Sequence, residues 1–207
     1  IIDSNFTTGN GGGINISNNS TVSIISATIK NNTSNNGGGI YVSNNSIVNI
    51  TNSIIQGNTA DINGGGVEIF DYSSAIIINT TIISNSANTA GGVDISNHSV
   101  AKFDSTVILS NTVDTDGGGI NISNHSTAEV DSARIQLNTA SINGGGINIS
   151  NHSTASINKT SIQSNGASNG GGIAISDNST THINYTTIQS NNAGNGGGMK
   201  VVNNSTV

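Results

Sequence analysis

Apolar residues recur along this chain in pairs split by one variable residue, and the pairs return at a fixed interval. After each Gly-Gly-Gly or Ala-Gly-Gly triplet, two aliphatic positions flank a third: Ile14 and Ile16, Ile40 and Val42, Val67 and Ile69, Val93 and Ile95, Ile120 and Ile122, Ile147 and Ile149, Ile173 and Ile175, Met199 and Val201. A second pair follows, as in Val22 and Ile24, Ala101 and Phe103, or Ala155 and Ile157. A third anchor is Ile in every complete repeat: Ile29, Ile55, Ile82, Ile108, Ile135, Ile162 and Ile188. Three residues after it stands Asn: Asn32, Asn58, Asn85, Asn111, Asn138, Asn165 and Asn191. Ser recurs between the pairs at Ser20, Ser46, Ser73, Ser99, Ser126, Ser153, Ser179 and Ser205.

Residues at i and i+2 share one face of a strand, so each apolar pair predicts a short strand with one buried side. The triplets begin at Gly11, Gly37, Gly64, Ala90, Gly117, Gly144, Gly170 and Gly196, in steps of 26 or 27 residues. One such repeat has too few apolar side chains to offset the entropy of ordering its backbone. Neighbouring repeats must supply the missing partners, and stacking them gives a β-solenoid. The expectation is an all-β parallel solenoid with three short strands per coil and 26–27 residues per coil. About eight coils at ~4.8 Å per strand layer make a rod about 4 nm long.

Each sequence column becomes a ladder in such a stack. The Asn column is expected to point inward at a turn, each amide bonding its copies above and below. The glycines mark a corner that needs positive φ or close backbone approach. The absence of Pro fits strands that donate on both sides. Counting back from Gly11 places Asn5 in the Asn column and Ile2 in the Ile column, so the chain opens inside a coil. It stops at Val207, where a second strand is due. With no atypical capping repeat, residues 1–207 read as a single solenoid segment from a longer array.

Composition excludes the main alternatives. Ile supplies 33 residues and Leu two, a ratio suited to pleated sheet and unsuited to a helical bundle. Asn supplies 36, Ser 31 and Gly 27, yet so much regularly spaced Ile argues against disorder. The net charge is −6 with five basic residues, so no basic footprint for nucleic acid exists. No apolar run is long enough to cross a membrane as a helix, so no membrane insertion by this segment is expected. Cysteine is absent, which removes disulfide and thiolate chemistry.

Gly38-Gly39-Ile40 with its copies and Ile29-Lys30-Asn31-Asn32 with its copies resemble the paired repeat of polymorphic outer-membrane proteins and related adhesin-like surface proteins. Gly stands where that family has Ala, and Ile where it has Phe. The resemblance covers the whole chain. It implies a right-handed parallel β-helix of the pectin-lyase-like kind, displayed outside the cell.

Enzymes of that architecture cluster carboxylates with Arg or Lys. Here Arg134 is the only arginine, and Lys30, Lys102, Lys159 and Lys200 are scattered over different columns. Asp104 and Asp131 share a column in adjacent coils, and Glu68 and Asp94 share another. Either pair could bind Ca²⁺ or act as a catalytic dyad. The plainer reading is solvated surface carboxylates screened by water. His98, His125 and His152 occupy one column in three successive coils, a weak metal candidate and more simply an exposed turn ladder. Sequons recur at Asn18, Asn44, Asn97, Asn124, Asn151 and Asn203, where glycans ~4.8 Å apart would collide, so turn chemistry is the reading there. A column of Thr28, Ile54, Thr81, Val107, Arg134, Ser161 and Thr187 is the best candidate for ice binding, and Arg134 spoils its flatness. Tyr41, Tyr72 and Tyr185 fall in three different columns and do not build a sugar platform.

The expectation is therefore a non-catalytic extracellular structural or adhesive protein with no cofactor and no metal. Its partners would be another copy of itself, or glycans or proteins of a cell surface. Gln56, Gln136, Gln163 and Gln189 form an outward column suited to lateral packing. The alternatives are a carbohydrate-active β-helix enzyme or carbohydrate-binding module, and an ice-binding module.

Overall fold

The computed structural model describes all 207 residues and consists of strands and turns, with no helix. The strands stack in four parallel sheets that run the length of the molecule, two of eight strands and two of seven. In the coil beginning at Gly37 the first sheet takes Ile40–Val42 and the second Ile47–Thr51. The third takes Ile54–Gln56 and the fourth Thr59–Asn63.

The three expected strands are all present, and a fourth corrects the count per coil. Its members bury one small side chain each, such as Ser34, Ala60, Ala87, Val113 and Ala140. A single Ser, Ala or Val per strand carries no paired apolar signal, which is why the pattern did not reveal it. The fourth sheet also absorbs the alternation between 26 and 27 residues. Thr33 pairs with Thr59 and Asn36 with Asn63, and the register shifts between them. The other sheets keep strict register, with Ile82 against Ile55 and Ile108, and Phe103 against Ile77 and Val130.

The core follows from that register. In the second sheet Ala101 and Phe103 point inward while Val100 and Lys102 point out. The third sheet sends Ile55, Ile82, Ile108, Ile135 and Ile162 inward with no exposed surface. Together with the first-sheet pairs these form one continuous cluster of 31 buried residues. Apolar side chains stack in register from coil to coil, so the interior repeats like its sequence.

The first sheet departs from simple alternation. Its middle residues point away from that core, yet Tyr41, Glu68, Asp94, Asn121, Asn148 and Ala174 are buried too. The cause is the glycine triplet. Its first glycine has φ between 59° and 74° in every Gly-Gly-Gly copy. Glycine adopts that region freely. The turn folds the end of the fourth strand back over the outer face of the first sheet. A Cβ on Gly64 would lie 2.7 Å from the Glu68 Cβ. Between the turn and the sheet lies a second, polar seam.

Candidate functional site

Four features carry chemistry, and the ladders position all of them. Asn85 shows how the inward Asn column works. Its Nδ2 donates to Asn111 Oδ1 (3.0 Å) and to the Ile55 carbonyl (3.0 Å). Its Oδ1 accepts from the Asn58 backbone N–H (2.9 Å) and from Asn58 Nδ2 (3.0 Å). The same pattern links Asn5, Asn32, Asn58, Asn85, Asn111, Asn138, Asn165 and Asn191. Asn32 through Asn165 are buried. The Ser column is a second ladder: Ser46, Ser73, Ser99 and Ser126 each donate a backbone N–H to the hydroxyl of the next coil.

The polar seam is the first chemical feature. Glu68 and Asp94 are register partners in the first sheet, each 2% exposed. The surface reading of this pair is therefore corrected. Period-two alternation points them away from the core, and the folded-back turn then covers them. Asp94 Oδ1 accepts from Asn121 Nδ2 (2.8 Å) and Oδ2 from the Ser96 hydroxyl (2.6 Å). Glu68 meets the Asn63 side chain and the Gly37 backbone, while its Oε2 has no partner. Burial, and then the charge of Asp94, push the Glu68 carboxyl up to about 9. Burial raises Asp94 as well, against the pull of its two donors.

The histidine column is the second. His98, His125 and His152 stack face to face, with Tyr72 at one end. Ring centroids are 4.8, 5.1 and 5.0 Å apart and the planes are within 5° of parallel. All four residues have positive φ at an exposed turn. Two nitrogens on one zinc ion lie at most about 4.2 Å apart, twice the metal–nitrogen bond. Parallel rings at 5 Å therefore do not chelate one ion as they stand. The arrangement is a stack of imidazole faces with its edges turned to water.

Asp104 and Asp131 are the third feature. They are register partners on the outer side of the second sheet, and Asp104 accepts from the Ser105 hydroxyl at 2.8 Å. No group of three or more His, Cys, Asp or Glu converges at this pair or elsewhere in the chain.

The fourth feature was not legible as a column. A groove of about 450 Å³ crosses four coils of the second sheet. Lys102, Glu129, Asp131, Asn158, Lys159 and Tyr185 line it. Lys102 Nζ and Glu129 Oε2 are 3.0 Å apart across neighbouring strands. Tyr185 sits at φ 49° in a turn and is 91% exposed. Lys102 and Lys159 looked scattered because they occupy different columns two coils apart, yet both line this groove. The same face turns apolar toward the other end, with Ile47, Ile76 and Val100 exposed.

A family model for the right-handed beta helix region matches residues 1–138 and 38–207, which together span the chain. No curated protein and no solved structure shows a significant match to it.

Proposed function

The chain belongs to the right-handed β-helix family, and from that premise we propose that it is a rigid extracellular element, structural or adhesive, acting through a long periodic polar surface. The observation that carries this reading is that outward side chains are laddered as well as inward ones. Asn44 donates to Asn18 (3.1 Å), Asn79 to Asn52 (2.7 Å), Asn151 to Asn124 (3.1 Å) and Gln136 to Gln163 (3.2 Å). Such bonds hold amides at strand spacing on several edges of the rod. A fixed lattice of amides and hydroxyls suits a partner that itself repeats, and affinity then grows through multivalency. The Gly-Gly-x-aliphatic and Ile-x-x-Asn columns, which resemble those of adhesin-like surface repeats, support the same reading.

Antibody-labelled electron microscopy of cells producing this sequence is expected to show rods or filaments outside the cell. Label confined to the cell interior overturns the proposal.

A second reading rests on the groove of the second sheet. Two lysines, two carboxylates and an exposed tyrosine are the groups that bind or process an acidic polysaccharide. On this reading Tyr185→Ala with Lys159→Ala lowers retention on uronate-containing polymers about tenfold, equivalent to about 1.4 kcal/mol. The melting temperature is expected to stay unchanged, because both side chains are at the surface. Retention equal to that of the unmodified chain removes this reading. Release of new chain ends from the polymer makes the groove an active site.

A further inference from the structure

The amide ladder beside the polar seam is broken at three successive steps, at Asn63, at Thr89, which bonds Thr115 instead, and at Asp116, which carries no amide. Just before four of the glycine triplets, a side-chain amide donates to the residue at the same place in the preceding coil. Asn36 donates to Asn10 (3.0 Å), Asn143 to Asp116 (2.9 Å), Asn169 to Asn143 (3.2 Å) and Asn195 to Asn169 (3.0 Å). Asn63 is due to donate to Asn36. Its side chain turns to Glu68 instead, and Asn36 Oδ1 is left without a donor. Glu68 Oε2 is likewise unpartnered. Two buried acceptor oxygens in adjacent coils of the seam thus lack a donor. Asp94, the register partner of Glu68, has both oxygens occupied by donors. Burial still raises its carboxyl against the pull of those donors. The donors around Asp94 also oppose a cation, which would face an amide N–H and a hydroxyl proton.

We propose that Glu68 is held as the neutral acid around neutral pH and that its proton is the seam's missing donor. The coils that begin at Gly37, Gly64 and Ala90 then form a proton-dependent lock, tightest in acid. A buried acceptor without a donor is costly, and one proton converts Glu68 Oε2 from acceptor to donor. It also removes the repulsion of two carboxylates one strand apart. The titratable groups facing Glu68 are Tyr41 in the coil below and Asp94 in the coil above, with Asp71 acting on Tyr41. None is cationic, so nothing in the seam rewards ionisation of Glu68.

The dependence on pH has a definite sign. The Glu68 carboxyl titrates at about 9 when folded, against the ordinary 4.5 when unfolded. Below the lower value both states hold the proton, and the contribution is fully present. Between the two, only the folded coil holds it, so stability falls as pH rises. The opening equilibrium shifts by up to tenfold per pH unit across that window and levels off above it.

The direct test follows the Glu68 side-chain carboxyl by carbon-13 NMR through a pH titration of the full chain. A midpoint near 9 is expected. A midpoint in the ordinary carboxylate range overturns the lock. Unfolding of the chain and of Glu68→Gln is compared over the same range, and the variant is expected to lose much of the dependence on pH. An unchanged slope counts against the proposal. Should the variant fail to fold, the NMR titration still decides. Repeating that titration with calcium chloride checks the other occupant: calcium-driven loss of the proton at neutral pH makes the seam a divalent-cation site and overturns the proposal.

Discussion

Asn111→Ala is expected to destabilise the middle of the rod by roughly 4 kcal/mol, from about 1–3 kcal/mol per orphaned buried group. Four hydrogen bonds are lost, one of them from Asn111 Nδ2 to Asn138 Oδ1 at 3.0 Å. The Asn85 backbone N–H and Asn85 Nδ2 both donate to Asn111 Oδ1, at 2.9 and 3.0 Å. The Ile82 carbonyl accepts from Asn111 Nδ2 at 3.1 Å. Asn111 is fully buried, so water does not replace these bonds without opening the coil. Solenoids open coil by coil, so a single melting temperature understates a local loss. Hydrogen exchange at the amide of Asn85 is the sensitive readout, and its protection is expected to collapse. A loss below about 1 kcal/mol, the net worth of an ordinary hydrogen bond, refutes the ladder as a major support of the stack.

Gly118→Ala is expected to cost about 3 kcal/mol or more, the upper range for overpacking. A Cβ there meets the Gly145 carbonyl oxygen at 2.4 Å and the Thr139 backbone at 2.8 Å. Both contacts are backbone, Gly145 of the next coil and Thr139 later in the same coil, so a rotamer change does not relieve them. The coils must separate locally, which stretches the bond from the Gly118 N–H to the Gly144 carbonyl, now 3.1 Å. The same substitution at Gly166 is the control. A Cβ at Gly166 meets nothing within 4 Å, and its φ lies outside the left-handed region. Gly166→Ala is expected to be neutral or to stabilise by up to about 1 kcal/mol through the unfolded chain. Urea unfolding of the two variants in parallel separates steric exclusion from helix-like or strand-like propensity. Equal effects at the two sites contradict the close approach of coils at Gly118.

Much of this molecule was legible because its repeat turns one-dimensional spacing into stacking. Ile29 and its copies through Ile162 read as buried anchors, and they are buried, because each is the one apolar side chain its strand turns to the core. The Asn column read as inward because an invariant polar residue beside an apolar anchor needs a partner, and the copy one coil away supplies it. The groove beside Tyr185 was harder to see. It joins residues from different columns, and a column reading compares only like positions.

The sequence by itself determined the coil length, the in-register stack, the apolar interior and the inward Asn ladder. Each is a periodic property, and a periodic chain has one register in which every apolar column is buried. The tertiary structure alone decided the fourth sheet, the fold-back over the first sheet and the burial of Glu68 and Asp94. Those depend on where a glycine turn directs the chain after it leaves the strand. Alternation says only that a side chain points away from one core, and not whether another segment lies waiting on the far side.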